Sequence, residues 1–162
     1  MKKTVALLAI SACALVALPS RAGVEERDVK RFFESMDRAL RAKDVAGFLL
    51  HYADGAAIVL SVKGPGGLAK KRLDKRGLSE MLTQNFSLFL DYRIKRRFDD
   101  IKIDREKQTA AVSATETETL VMDRMTVVNT SRSDYALGPG KQGLLITGLS
   151  SLLVESRMES RP

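Results

Sequence analysis

Few side chains in this chain of 162 residues have the chemistry of a reactive centre, and they are scattered along it. His51 is the single histidine. An imidazole that titrates near neutrality is a natural general base. No placed partner can be named for it, so a helix-surface or hydrogen-bonded boundary residue is the competing reading. Tyr52, Asn85, Asp91 and Tyr92 can supply the few polar groups that a mostly apolar pocket uses. The competing reading buries both tyrosines in the core with their hydroxyls at its rim. Arg96 falls among the apolar members of an alternating stretch. There it would anchor a carboxylate or phosphate from inside the fold, or else a strand twist carries it to solvent. No catalytic residue can be named from these groups.

The first 22 residues narrow the chemistry further. Lys2 and Lys3 lead into the uncharged run from Thr4 to Leu18, Pro19 breaks it, and Ser20-Arg21-Ala22 places small residues before Gly23. That is the pattern of a secretory signal peptide cut after residue 22, and it predicts export, to the periplasm of a bacterium. The run is shorter than the roughly 18 residues of a membrane-spanning helix. An alternative is lipidation at Cys13 within Ile10-Ser11-Ala12-Cys13. Cys13 is the only cysteine, so cleavage leaves a domain with no disulfide, no thiol nucleophile and no thiolate-bound metal. With one histidine left, a zinc site would need carboxylates for most of its ligands, and no metal or other cofactor is implied.

Cleavage also removes Lys2, Lys3 and Arg21 and no acid, leaving 24 basic against 20 acidic side chains. The excess is local. Residues 63–97 hold ten Lys and Arg against Asp74, Glu80 and Asp91. Lys70, Lys71, Arg72, Lys75 and Arg76 surround the start of one predicted helix, and Arg93, Lys95 and Arg97 share one face of a predicted strand. Such a basic surface suits peripheral contact with anionic lipid headgroups. Nucleic acid is excluded as a partner by export and by the lack of interleaved aromatic residues.

The elements that must position these groups follow from periodicity. Val29, Phe32, Phe33, Met36, Ala39 and Leu40 form one helical face between Glu25 and Arg41. Asp44 caps a shorter helix through Val45, Phe48, Leu49 and Tyr52. Asp54-Gly55 reads as a turn and Ala56–Val62 as a buried strand. Lys63 to Gly67 is a loop by composition. Asp74 caps a third helix that buries Leu78, Met81, Leu82, Asn85, Phe86 and Phe89. From Asp91 the period becomes two, with Tyr92, Ile94 and Phe98 opposite Arg93, Lys95 and Arg97, and a bulge at Asp99-Asp100. Strands are predicted at Gln108–Val121, Thr126–Tyr135 and Leu144–Val154, joined by turns at 104–107 and 123–124 and by a loop at 138–143. Residues 23–155 form one domain and 156–162 a frayed tail. Helices followed by a strand meander give an α+β fold, three N-terminal helices packed on a curved antiparallel sheet that bends near Gly148 and the bulge.

The order of a long helix, Lys43-Asp44-Val45, Phe48 to Tyr52-Ala53-Asp54-Gly55-Ala56, a strand, a helix opening Arg76-Gly77-Leu78 and a meander resembles the nuclear-transport-factor-2-like superfamily, in its SnoaL-like and ketosteroid-isomerase-like branch. The resemblance covers roughly Val29 to Val154. It implies a cone, a cystatin-like half barrel whose helices and concave sheet enclose a pocket. Phe32, Phe33, Met36, Phe48 and Leu60 would then join Tyr52, Asn85, Asp91, Tyr92 and Arg96 as pocket candidates. Laying the ketosteroid-isomerase pattern on Tyr52-Ala53-Asp54 puts its oxyanion-stabilising tyrosine on Met36 and its proton-abstracting aspartate on Leu60. A thioether cannot donate to an enolate and an alkyl group cannot take a proton, so that chemistry is not expected here. Epoxide-hydrolase relatives carry an Asp-Arg-Asp constellation on the inner wall. The nearest look-alike, Asp123-Arg124, falls in a predicted hairpin turn.

Three functions remain. The first is non-catalytic binding of an apolar, amphiphilic or anionic small molecule in the cone, or of a partner protein on the sheet. A resemblance of fold to periplasmic phospholipid carriers agrees with it. The second is a cofactor-independent isomerase, cyclase or hydrolase of the SnoaL-like kind, with Asp91, Asp99 and Asp100 as the first acids to test. The third is a homodimer formed through the sheet, for which the Thr-rich strand Gln108–Thr119 is suited.

Overall fold

A computed structural model describes residues 23–141 and 143–160. The predicted signal segment and Cys13 lie outside the described residues.

Helix α1 (Glu26–Arg41) buries Val29, Phe33, Met36 and Leu40. Helix α2 (Val45–Leu49) is capped by Asp44, whose Oδ1 accepts the Gly47 N–H at 2.8 Å. Helix α3 (Lys75–Leu88) is capped the same way by Asp74, which accepts the Gly77 N–H at 2.7 Å. Each cap satisfies a backbone donor that the helix itself leaves free.

Six strands complete the fold: β1 (Tyr52–Gly64), β2 (Gly67–Leu73), β3 (Asp91–Asp104), β4 (Thr109–Val121), β5 (Met125–Gly140) and β6 (Gly143–Ser160). They form one sheet in the order β2-β1-β6-β5-β4-β3. Every neighbouring pair is antiparallel except β1 and β6, which run parallel and join the N-terminal hairpin to the C-terminal meander.

The structure departs from the sequence reading at five places. Tyr52 opens β1 instead of closing α2, and Asp54-Gly55 is no turn but an irregularity within β1, where the register shifts between Tyr52 and Ala57. The basic stretch after Gly67 is strand β2, an edge strand with no fully buried residue and hence no apolar alternation to reveal it. The expected loop at 138–143 is mostly ladder, because Gly138, Pro139 and Gly140 pair with Leu145, Leu144 and Gly143. Residues 156–160 are the end of β6, where Met158 pairs with Val127 and Ser160 with Met125. The predicted bulge is present, between Phe98 and Asp100.

Reading the register across strands shows how the concave face is built. Ile103, Ala110, Leu137, Ile146 and Tyr52 stand side by side, and so do Ile101, Val112, Tyr135, Leu149 and Ile58. These two rows are mainly apolar, and α1 packs on them to make the core. The next rows are different. Ala114 leads to Ser133 and Ser151, Arg96 leads to Glu116 and Ser131, and Ile94 leads to Glu118 and Asn129. One half of the cone is therefore a filled core and the other carries a polar stripe across its inner wall.

Candidate functional site

A cavity of about 410 Å³ occupies the half of the cone that carries the polar stripe. Such a volume is in the range of small-molecule sites. One wall is apolar, with Met36 and Leu40 from α1, Phe48 from α2, and Leu78, Met81, Leu82 and Phe86 from α3. The sheet supplies Arg96, Glu116, Glu118, Asn129, Ser131, Ser133 and Ser151.

The polar wall divides into a tied group and an open group. Arg96 is the hub of the first. Its side chain is only 3% exposed, and it donates from Nε to Glu116 Oε1 at 2.7 Å and from Nη1 to Asp37 Oδ1. The guanidinium carbon lies 4.6 Å from the Phe33 ring centroid, a cation–π contact. Tyr135 donates to Glu116 Oε1 at 2.6 Å and Ser133 donates to Glu116 Oε2 at 2.8 Å. Both oxygens of Glu116 are thus occupied by the protein itself. Burial works against the Arg96 charge, but Tyr135, Glu116 and Asp37 more than offset it and hold the guanidinium above its ordinary pKa. Burial raises the Asp37 carboxyl, with Arg96 opposing the rise. Burial pushes the hydroxyls of Tyr52 and Tyr135 up, so both stay protonated, and Tyr135 donates.

The open group comprises Glu118 and Asn129, which face each other across β4 and β5. Tyr92 donates its hydroxyl to Glu118 Oε1. Burial raises the Glu118 carboxyl, the Tyr92 hydrogen bond opposes that rise, and neighbouring Glu116 adds to it. Asn129 Oδ1 is buried and has no hydrogen-bond partner. A buried acceptor in that state costs about 1–3 kcal/mol unless something donates to it.

Of the pocket candidates, the structure places Met36, Phe48, Tyr52, Leu60, Asn85, Tyr92 and Arg96 on the cavity wall. Three others stand elsewhere. Phe33 is packed beneath Arg96 and Tyr135 in the core, because α1 turns that face toward the filled half. Phe32 lines a separate outer groove with His51, their rings 5.1 Å apart. Asp91 pairs with Arg93 at 2.8 Å. Asp99 and Asp100 likewise serve Arg97, Thr115 and Lys102 on exposed positions, outside the cavity. His51 turns its Nδ1 to the carbonyls of Gly47 and Phe48, the boundary role. Asp123 and Arg124 lie in an exposed turn.

Arg96 is inside the cone, yet two of the protein's own carboxylates hold it, so it is not a free anchor for an anion. The acid–arginine–acid chain on the inner wall is Asp37–Arg96–Glu116, drawn from α1, β3 and β4. The basic residues do not make one face either. Lys70, Lys71 and Arg72 lie on β2 and Arg93, Lys95 and Arg97 on β3, the two opposite edges of the sheet. Lys75 is spent on the Tyr52 carbonyl and Asp54, and Arg76 on Glu80.

Sequence reasoning missed Asp37, Glu116, Glu118, Asn129, Ser131, Ser133 and Tyr135. The signal was present in phase. Asn129, Ser131, Ser133 and Tyr135 share the parity of buried Leu137, and Glu116 and Glu118 that of buried Val112 and Ala114. Among the described residues, no group of three or more His, Cys, Asp or Glu is placed to hold a metal ion.

No protein-family model and no curated protein matches the sequence. Solved structures do match the fold. A scytalone dehydratase-like protein of Novosphingobium aromaticivorans superposes with a TM-score of 0.65 at 10% identity, over 81% of this chain and 85% of that one. A ketosteroid isomerase-like protein of Erwinia carotovora atroseptica gives 0.57 at 13% identity, over 80% and 95%. A nuclear-transport-factor-2-like protein of Shewanella oneidensis gives 0.57 at 16% identity, over 78% and 97%. With its helices on a curved, unclosed six-stranded sheet, this chain has the α+β cone fold that these structures share.

Proposed function

We propose that the cone binds a small neutral molecule with an apolar body and a hydrogen-bond-donating end, such as a hydroxyl or an N–H. The observation that carries this reading is the unpartnered buried Oδ1 of Asn129 on the wall of a cavity whose facing wall is apolar. A donor on the ligand would satisfy Asn129 and could share its proton with Glu118, while the helical side chains take the apolar body. An anionic ligand fits poorly, because Glu116 and Glu118 outnumber Arg96 on that wall and Asp37 already holds the guanidinium.

The test is a fluorescence titration with N-phenyl-1-naphthylamine, an uncharged aromatic amine with one N–H. Saturable binding at one site per chain, displaced by a long-chain alcohol but not by the matching carboxylate, is the expected result. No saturable binding, or displacement by the carboxylate alone, contradicts the reading.

A second reading is favoured by the Tyr92–Glu118 pair. A carboxyl that burial raises above its ordinary range, hydrogen-bonded to a tyrosine on a cavity wall, has the makings of an acid–base group. Some structures that share this fold are named as enzymes, among them a dehydrochlorinase of hexachlorocyclohexane. On this reading Glu118 is the acid–base group of a cofactor-independent isomerisation or elimination. Glu118→Gln would then abolish turnover of a bound compound while leaving its binding intact.

A further inference from the structure

Most of the large exposed apolar side chains among the described residues gather at one end of the sheet, with Leu50, ahead of β1, at the other. β1, β4 and β6 finish at that end and β3 and β5 start there, because β1 and β6 are parallel and all other neighbours are antiparallel. Val62 and Leu68 lie on the β1–β2 hairpin, Leu88 and Leu90 at the junction of α3 and β3, and Val154 and Met158 near the end of β6. All are substantially exposed, Leu88 and Leu90 at 65% and Met158 at 76%. This is also the end toward which the cavity lies, since Val62, Phe89, Glu118 and Asn129 line it. The opposite half is the filled core.

Charge is distributed unevenly around this rim. The β1–β2 hairpin carries Lys63, Lys70, Lys71 and Arg72 and no acidic residue between Ser61 and Leu73. None of the four makes an ion pair among the described residues. Beyond the pairing of Val62 with Leu153, β6 continues with β5 alone, so the hairpin tip has no strand on its far side. Exposed Val62 and Leu68 share the hairpin with these basic side chains, and Leu88 and Leu90 add apolar surface at the opposite edge of the same end. Apolar burial at the headgroup boundary and attraction to the surface potential are the two components of reversible adsorption to an anionic bilayer.

We propose that this end of the cone docks on an anionic lipid surface, with the β1–β2 hairpin and the α3–β3 junction as the contact. The proposal rests on the reading of the cavity as a site for an apolar-bodied molecule, because the same end then faces the phase in which such molecules dissolve. The charge requirement singles out the bilayer: a second copy would bring a second basic hairpin to the interface.

Co-sedimentation of the protein with vesicles tests it. The expected result is binding to vesicles containing phosphatidylglycerol, weak binding to pure phosphatidylcholine, and release as salt is raised. Lys70→Glu/Lys71→Glu and Leu88→Ser/Leu90→Ser should each weaken binding about tenfold or more, with thermal melts unchanged because all four side chains are exposed. Binding absent at every composition overturns the proposal. So does binding unaltered by both variants, which would leave the lysines as protection of an edge strand. A concentration-dependent dimer lost in Leu88→Ser/Leu90→Ser also overturns it, since a second copy then covers the rim. Naphthylamine binding, measured in the absence of vesicles, separates the two failures: if it persists while vesicle binding fails, the cavity reading stands and the docking falls.

Discussion

Glu116 and Glu118 stand two residues apart on the same face of β4 and have different surroundings. Glu116 receives Arg96, Tyr135 and Ser133, so its charge is fully answered inside the fold. Removing Arg96 would leave Asp37 and Glu116 buried without a cation, and breaking such a buried pair costs about 3–5 kcal/mol. Arg96→Ala is expected to lose about that much in urea denaturation. Glu118 has only the Tyr92 hydroxyl, and burial raises its carboxyl above the ordinary 4.5. A carboxyl raised by folding means that the folded state holds the extra proton. Its contribution to stability is complete below pH 4.5 and is lost as pH rises through the raised value. Glu118→Gln removes that titration. The wild type is expected to lose more stability than the variant as pH rises above 4.5, and parallel losses would show that folding does not raise the Glu118 carboxyl.

At the scale of elements, the parts of the fold with a local cause could be read from the sequence. Asp44 and Asp74 cap their helices as their positions predict, and the Asp99-Asp100 doublet marks the bulge. Asp74→Ala is expected to cost about 1 kcal/mol in urea denaturation, the usual worth of an N-cap. The same substitution should lower the helical signal only slightly, since α3 is also held by Leu78 and Phe86 in the core. The parts that could not be read have non-local causes. β2 has no fully buried residue and exists through its pairing with β1. The end of β6 exists through its pairing with β5. The polar stripe was hidden for a different reason. From Thr115 to Thr119 both faces of β4 are polar, so the period-two contrast that separates inside from outside vanishes where the site is built. Arg96 was visible because its neighbours Ile94 and Phe98 are apolar. Its partners Asp37 and Glu116, 59 and 20 residues away, were not.

Across the whole molecule, the fold separates stability from the site. The filled half joins α1 to the apolar rows of the sheet, and the half with the cavity lies toward the apolar rim and the basic hairpin. The basic stretch of the sequence does not become a single face, because the sheet order sends β2 and β3 to opposite edges. What the sequence offered as an anion anchor became an internal ion pair, and the polar group left for a ligand is the acceptor pair Asn129 and Glu118. The central claim is that this half of the cone is an open site for an apolar-bodied donor. Filling it tests that claim most directly. Leu82 on α3 and Ser131 on β5 both line the cavity, so Leu82→Trp and Ser131→Phe block it from different elements. In the naphthylamine titration each variant is predicted to bind at least about tenfold more weakly than the wild type while melting as a folded protein. Unchanged affinity in both folded variants would place the probe outside the cone and contradict the account.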